Sequence, residues 1–355
     1  MLLNVDVAVV GAGILGCLVA QQILEKDPAT SVAILERDMV GSGASRRSAG
    51  LHFPRGATAT VREMSHFSQQ YWTELAASQP GLPIFALPMT LVASKAQAEQ
   101  AKSAYLGEAN LSPITSLSQV GVELPADSVA WKVDGCHYAD VHQLTQHLAE
   151  TLRGNVQLIE GVRVIALESR EDGVGIELSS GQRVRADKVV LAPGPWLAEP
   201  AWEELVAPLR ARVKKVVAMH IARRPTPEDQ VISFHDEDAF LLPMARRGHW
   251  LFSYTCQEWG VDPNGLQTEL SESDLATAHR TLQRLAPEFL PYCTGGRVFC
   301  DAYSPDREPI ITSLDAAGRL IFAGACNGAG YRLAPAIASR AAALVRSPIL
   351  QGSTA

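Results

Sequence analysis

The six cysteines, at positions 17, 136, 256, 293, 300 and 326, form no C-x-x-C pair, so neither a zinc site nor a thioredoxin-type motif is spelled out. No block of lysine or arginine occurs, and 31 basic residues face 38 acidic ones, a net charge of -7. Nucleic-acid surfaces need clustered cations, so no nucleic-acid partner is expected. No apolar run is long enough to cross a membrane. The apolar N-terminus lacks a basic leader and carries Asp6, which argues against a signal peptide. Unpaired thiols and small-molecule chemistry in a reducing cytoplasm are the expectation. What the chain does have is 47% apolar residues over 355 positions, more than one usual core holds, which predicts two sequential or interleaved domains.

The stretch 5–36 organises the rest. A short apolar run over 5–10 reads as a buried strand. Gly11-Ala12-Gly13-Ile14-Leu15-Gly16 follows with G-x-G-x-x-G spacing. Gly11 permits a tight turn, Gly13 lets a pyrophosphate approach the backbone, and Gly16 lets helix and strand pack closely. A helix over 14–26 would aim its free N–H groups and positive dipole end at phosphates. A second strand over 31–35 ends at Glu36, twenty positions after Gly16, where a carboxylate can accept hydrogen bonds from ribose hydroxyls.

A small-residue loop with two arginines, 41–51, comes next. Helical spacing over 61–77 places Met64, Phe67, Tyr71, Trp72 and Leu75 in a core. After prolines 80, 83 and 88 an apolar strand over 89–93 enters a second domain, and 95–120 reads as helix and loop. An amphipathic helix spans 140–153, with His142 and His147 toward solvent. Strands follow over 156–159, 163–168, 174–178 and 183–185. A buried strand then runs into Pro193-Gly194-Pro195-Trp196, as chain reaching a ligand edge does. Antiparallel strands over 213–221, 240–243 and 249–254 precede a helix over 272–285. The end repeats the opening: strand 319–324, small-residue turn 325–330, and helix 333–346 with Pro335 in its first turn. Turns at both ends of the chain predict one long dinucleotide held between them.

Taken in order, GAGILG with ILER, GSGASRRSAGL, ADKVVLAPGPW, and SPDREPII followed by FAGACNGAGYRLAP resemble the flavin-dependent amine and amino-acid oxidoreductases of the D-amino-acid oxidase, glycine oxidase and sarcosine oxidase type. RRSAGLHF is also similar to bacterial D-amino-acid dehydrogenases. The likeness implies FAD and an α/β fold: a Rossmann-like domain over 1–78, 139–212 and 295–355, interleaved with an α+β substrate domain built on an antiparallel sheet over 79–138 and 213–294. Cofactor contacts are implied at Gly11, Gly13, Ile14, Leu15, Gly16, Glu36 and Arg37, then at Ser42, Ala44, Ser45, Arg47, Gly50 and Leu51. Val164, Pro193, Gly194 and Trp196 follow, and the last set is Asn327, Gly328, Ala329, Gly330, Tyr331 and Arg332. Arg297 sits where many members keep a carboxylate-binding arginine, and Arg332 where sarcosine oxidases have a lysine of similar use. Tyr254 and His52 are further catalytic candidates.

The implied reaction is hydride transfer from the carbon bearing a substrate nitrogen, giving an imine. The same clamp on a carboxylate would also serve a 2-hydroxy acid, and the chain could instead be a flavin-holding subunit of a larger complex. The acceptor is oxygen, a quinone or a protein. Gly260 stands where sarcosine oxidases have a lysine thought to assist oxygen, so slow reaction with oxygen is expected unless another cation, such as Lys214 or Arg47, reaches the flavin. Counting back from Ser304-Pro305-Asp306, the position of covalent flavin attachment falls on Phe299 and not on Cys300, so a noncovalent flavin is expected.

Overall fold

The structure is a computed structural model that describes residues 2–117, 121–122 and 124–349. Positions 118–120 of the helix-and-loop stretch, and 350–355 at the end of the proposed cofactor domain, lie outside them.

Among the described residues the first sheet has eight strands, five of them parallel, in the order Val156–Ile159, Val32–Leu35, Leu2–Val10, Arg183–Leu191, Leu320–Gly324, with Ile310–Ser313 antiparallel to the last. The stretch expected over 183–185 and the buried strand expected after it are one strand, Arg183–Leu191, whose outer edge is shared. Its first residues pair antiparallel with Gly173–Leu178, which forms a hairpin with Val164–Arg170, and its last pair with Leu320–Gly324. Near-continuous Val, Ile, Ala and Leu suit strands covered on both faces. One face carries the helices Ile14–Lys26, Ala59–Ser78, Val141–Leu152 and Gly330–Arg346. The other carries the hairpin and the Leu197, Trp202 and Val206 cluster.

Caps move several helix starts. The helix expected from 61 begins at Ala59, because the Thr58 side chain accepts a hydrogen bond from the Val61 N–H. Its Trp72 and Met64 are core, whereas Phe67 is exposed. The last helix begins at Gly330, three residues earlier than expected, so Pro335 lies inside it and Tyr331 and Arg332 fall in its first turn. His147 is exposed, but His142 is half-buried with Nδ1 3.2 Å from the Gly41 carbonyl.

The second sheet has eight strands, in the order Cys293–Tyr303, Arg212–Ile221, His249–Tyr254, Ala239–Met244, Val231–Phe234, Met89–Ser94, Ser128–Val133, Ser112–Ile114. All its pairs are antiparallel except one. Val231–Phe234 runs parallel to Met89–Ser94, since these strands come from distant parts of the chain and no hairpin imposes reversal. Positions 295–303, grouped from sequence with the cofactor domain, belong to this sheet, where they pair with Arg212–Ile221 along its whole length. The helix Glu272–Leu285 and the turn around Phe289 cover one face. The other looks toward the turns of the first sheet, across the short sheet of Leu51–His52, His137–Ala139 and Ile84–Ala86.

Candidate active site

Every parallel strand end that carried a sequence motif opens on one cavity. Its wall includes Gly11, Gly13, Ile14 and Leu15 after the first strand and Glu36 and Arg37 after the second. Pro193, Gly194 and Trp196 follow the strand Arg183–Leu191, and Gly328 and Gly330 close it from the last turn. Ser42, Ala44, Ser45 and Val164 complete the predicted set there. Gly11 has φ of 102°, and a Cβ on it would lie 2.5 Å from the Ala192 carbonyl oxygen. Gly16 lies beneath the wall, where a Cβ would lie 1.9 Å from the Gly11 carbonyl oxygen. No side chain caps the helix at Gly13, so its first N–H groups stay free for an anion, apart from Ile14 N–H, which donates to Ser45 Oγ at 3.0 Å.

Glu36 is fixed by its neighbours. Its carboxylate accepts hydrogen bonds from Ala12 N–H at 2.7 Å and Asp38 N–H at 2.9 Å. Burial raises its pKa, against the lowering effect of those bonds. Arg37 lies over the Trp196 ring at 4.4 Å, and both side chains reach Asn264 Oδ1, at 3.0 and 2.9 Å. A glycine cradle, a helix N-terminus without a side-chain cap and a positioned acid together fit a dinucleotide.

A second cavity joins the first, sharing Ile14, Ala44, Ser45, Asp301, Gly328 and Gly330 in their walls. Gly50, Leu51, Asn327, Tyr331, Arg332 and Tyr254 line this one. Arg332 and Arg55 stand in the same wall, and Arg332 Nη1 donates to the Arg55 carbonyl at 2.8 Å. The Arg332 guanidinium lies over the Phe53 ring at 5.1 Å. Burial, with Arg55 beside it, lowers the Arg332 pKa to about 10, which leaves it charged at neutral pH. Neither arginine has an ion-pair partner among the described residues. Asn327 spends its side chain on the turn itself, accepting from Ser304 N–H at 3.0 Å and donating to the Ala325 carbonyl at 2.9 Å.

Several candidates stand elsewhere. Arg297 lines neither cavity. It shares a face of its strand with Asp301, but four residues of extended chain separate them by roughly 13 Å. Its Nη2 donates to the Ser48 carbonyl at 3.3 Å, Nη1 lies 3.5 Å from His220 Nε2, and burial with Arg247 nearby lowers its pKa to about 10. Arg55, and not Arg297, is the companion of Arg332. His52 is fully buried, stacked on His137 at 4.6 Å, with Nε2 2.7 Å from Gln69 Oε1. Burial and His137 hold its pKa well below the usual range, so it is a neutral core histidine and lines no cavity. Tyr254 lines the second cavity, but its hydroxyl donates to the Asp274 carbonyl at 3.1 Å, among the residues of the opposite sheet face. Arg47 and Ala329 line neither cavity, and Ala329 is the buried N-cap of the last helix.

Arg55 and Asp301 escaped the site reading, and Lys214 entered it only as a cation that could reach the flavin. Arg55 follows Phe53-Pro54 and carries no motif. Lys214 lies on Arg212–Ile221, its Nζ 3.0 Å from Thr255 Oγ1 and 4.6 Å from the Tyr303 ring centroid. Asp301 did leave a signal, a lone acid inside the apolar run Val298-Phe299-Cys300-Asp301-Ala302.

Among solved structures, glycine oxidase from Geobacillus kaustophilus superposes with a TM-score of 0.81 at 18% identity, covering 98% of this chain and 96% of its own. L-proline dehydrogenase from P. horikoshii gives 0.81 at 15%, covering 98% and 94%. L-amino acid deaminase from Proteus vulgaris gives 0.77 at 16%, covering 98% and 95%. At such identities the likeness is one of fold. Among curated proteins none matches the chain at a significant level. The sequence profile of the DAO family, described as FAD dependent oxidoreductase, matches residues 6–344, and the chain belongs to that family.

Proposed function

We propose that this enzyme oxidises the C–N bond of a small amino acid or N-substituted amino acid to an imine, which water then hydrolyses. FAD, when bound, supplies the hydride acceptor, and the protein supplies orientation and electrostatics. The observation that carries the reading is the pair Arg55 and Arg332, two unpaired cations in one wall of a cavity that opens onto the dinucleotide cavity. A carboxylate is the ligand such a pair fits, since a planar guanidinium binds both its oxygens. The Arg55 carbonyl fixes one edge of the Arg332 fork and leaves the rest for substrate. The solved relatives named as amino-acid oxidases, dehydrogenases and deaminases support an amino-acid substrate.

The test is anaerobic bleaching of the flavin by amino acids, N-methyl amino acids and 2-hydroxy acids, followed by ammonia or amine release. Arg332→Ala should cost at least roughly thirtyfold in kcat/KM, the effect of stranding a buried charge, and Arg332→Lys should restore part of it. A primary amide turned over as fast as its parent acid would sink the reading.

The flavin is held without a covalent bond. Supporting this, Phe299 and Asp301 line the cavity while Cys300, between them, does not. Cys326 does line the dinucleotide cavity, but burial, with Asp301 nearby, pushes its thiol up to about 12 and leaves little thiolate. All six cysteines stand as free thiols, which supports a reducing compartment.

A further inference from the structure

Asp301 sits where the two cavities meet and lines both. It lies on Cys293–Tyr303, directly across from Lys214 on the neighbouring strand. A lysine in that place would ordinarily neutralise it. Here the Lys214 ammonium is turned to Thr255 Oγ1 and the Tyr303 ring, and no ion pair joins it to Asp301. Among the described residues none donates a hydrogen bond to the Asp301 carboxylate. Burial pushes this carboxyl up to about 6, with Lys214 pulling the other way, so it remains largely ionised at neutral pH. Asp301 is half-buried, so its carboxylate, which has no protein partner among the described residues, is open to a ligand cation from the cavities it lines.

Placement says which ligand. Arg55 and Arg332 line the substrate cavity alone, whereas Asp301 stands at its junction with the dinucleotide cavity. Lys214, Lys215 and Asp238 line the substrate cavity as well, but Lys214 is held by Thr255 and the Tyr303 ring, Lys215 by Asp274 and Glu258, and Asp238 lies near Arg332, which leaves the arginines in one wall and the unpaired Asp301 carboxylate at the junction. That pattern complements a zwitterion whose carboxylate points away from the cofactor and whose nitrogen points toward it. A 2-hydroxy acid offers the carboxylate and no cation. We propose that Asp301 selects for a substrate with a protonated nitrogen next to the carbon to be oxidised, its carboxylate accepting hydrogen bonds from that ammonium while Arg55 and Arg332 hold the carboxylate. The proposal rests on the amino-acid reading above and adds the residue that separates amino acids from hydroxy acids.

Ligands that cannot react make the test one of binding alone. 2-Aminoisobutyrate and 2-hydroxyisobutyrate lack the α-hydrogen and differ only in ammonium against hydroxyl. Calorimetric Kd values on the FAD-loaded enzyme should favour the nitrogen member in the wild type. In Asp301→Asn that preference should fall by at least about tenfold, mostly through weaker binding of the nitrogen member, and Asp301→Glu should recover part of it. The melting temperature and the Kd for FAD should stay near wild type. A wild type that prefers the hydroxy acid, or binds no nitrogen member at millimolar concentration, overturns both the amino-acid reading and this one. A wild type that prefers the nitrogen member, with Asp301→Asn keeping the same ratio or losing only FAD affinity, overturns the role of Asp301 alone.

Discussion

Two glycines of one motif do different work, and substitution separates them. A Cβ at Gly16 would meet the Gly11 carbonyl oxygen at 1.9 Å, a backbone clash that no side-chain movement relieves. A Cβ at Gly13 would meet only Ser45 Oγ, at 3.3 Å, and the Gly13 φ of -72° suits any residue. Gly16→Ala should therefore unfold the dinucleotide half. Gly13→Ala should leave the FAD-free melting temperature within about 3 °C of wild type and weaken FAD binding at least about tenfold, because its methyl group enters the ligand's space and not the protein's. Calorimetry of the FAD-free proteins with a fluorescence titration of FAD checks both, and equal loss in the two variants would show the distinction to be false. Gly11, Gly13 and Glu36 were legible because each is required by local geometry. Arg297 lines neither cavity, and Tyr254 lines one with its hydroxyl engaged elsewhere, because alternation along a strand says that side chains take opposite faces, and not which face or how far along it the cavity lies.

At the scale of the element, the helix Glu272–Leu285 is tied to the second sheet through its own cap. Asp274 completes a capping box with Ser271 and forms an ion pair with Lys215 at 2.9 Å, while its carbonyl accepts the Tyr254 hydroxyl. Lys215 and Asp274 are both nearly inaccessible; Lys215 also pairs with Glu258 at 3.0 Å, whereas Lys215 is the one cation paired with Asp274 among the described residues. Burial pushes the Asp274 carboxyl up, but hydrogen bonds from Lys215 and Ser271 outweigh it and hold the pKa below the usual carboxylate range. A lowered folded pKa means stability present above the unfolded value and lost as pH falls through the folded one. Asp274→Ala should cost about 2–4 kcal/mol at neutral pH, with the gap to wild type closing below about pH 4, as denaturant unfolding at several pH values would read. A gap that stays constant into acid would remove the ion pair from the explanation. The helix itself was plain from its periodicity. Its attachment was not, because Lys215 and Asp274 are distant in sequence and meet only through the sheet.

Across the whole molecule, the cation missing at Gly260 returns from another strand. The Gly260 N–H donates to the Val213 carbonyl at 2.8 Å, so the segment expected to carry a lysine lies beside Lys214, which lines the substrate cavity. If oxygen is the acceptor, a cation there would stabilise the negative charge that develops as it is reduced. Lys214→Met should slow reoxidation of the reduced enzyme by air by at least about tenfold and leave reoxidation by a quinone or dye nearly unchanged. Stopped-flow traces give both rates, and equal slowing with every acceptor would make Lys214 a structural residue.

The dinucleotide half was determined by the sequence itself. Strand, glycine turn, helix and terminal acid lie within residues 5–36, so hydrophobic period and glycine sterics act over a few neighbouring positions and read directly. The substrate side was decided only by tertiary structure. Arg55 meets Arg332 across 277 positions, and Asp301 comes opposite Lys214 through the pairing of Cys293–Tyr303 with Arg212–Ile221. Those encounters depend on strand register and on which face of a sheet turns inward, which packing of the whole chain sets and no local run of residues records.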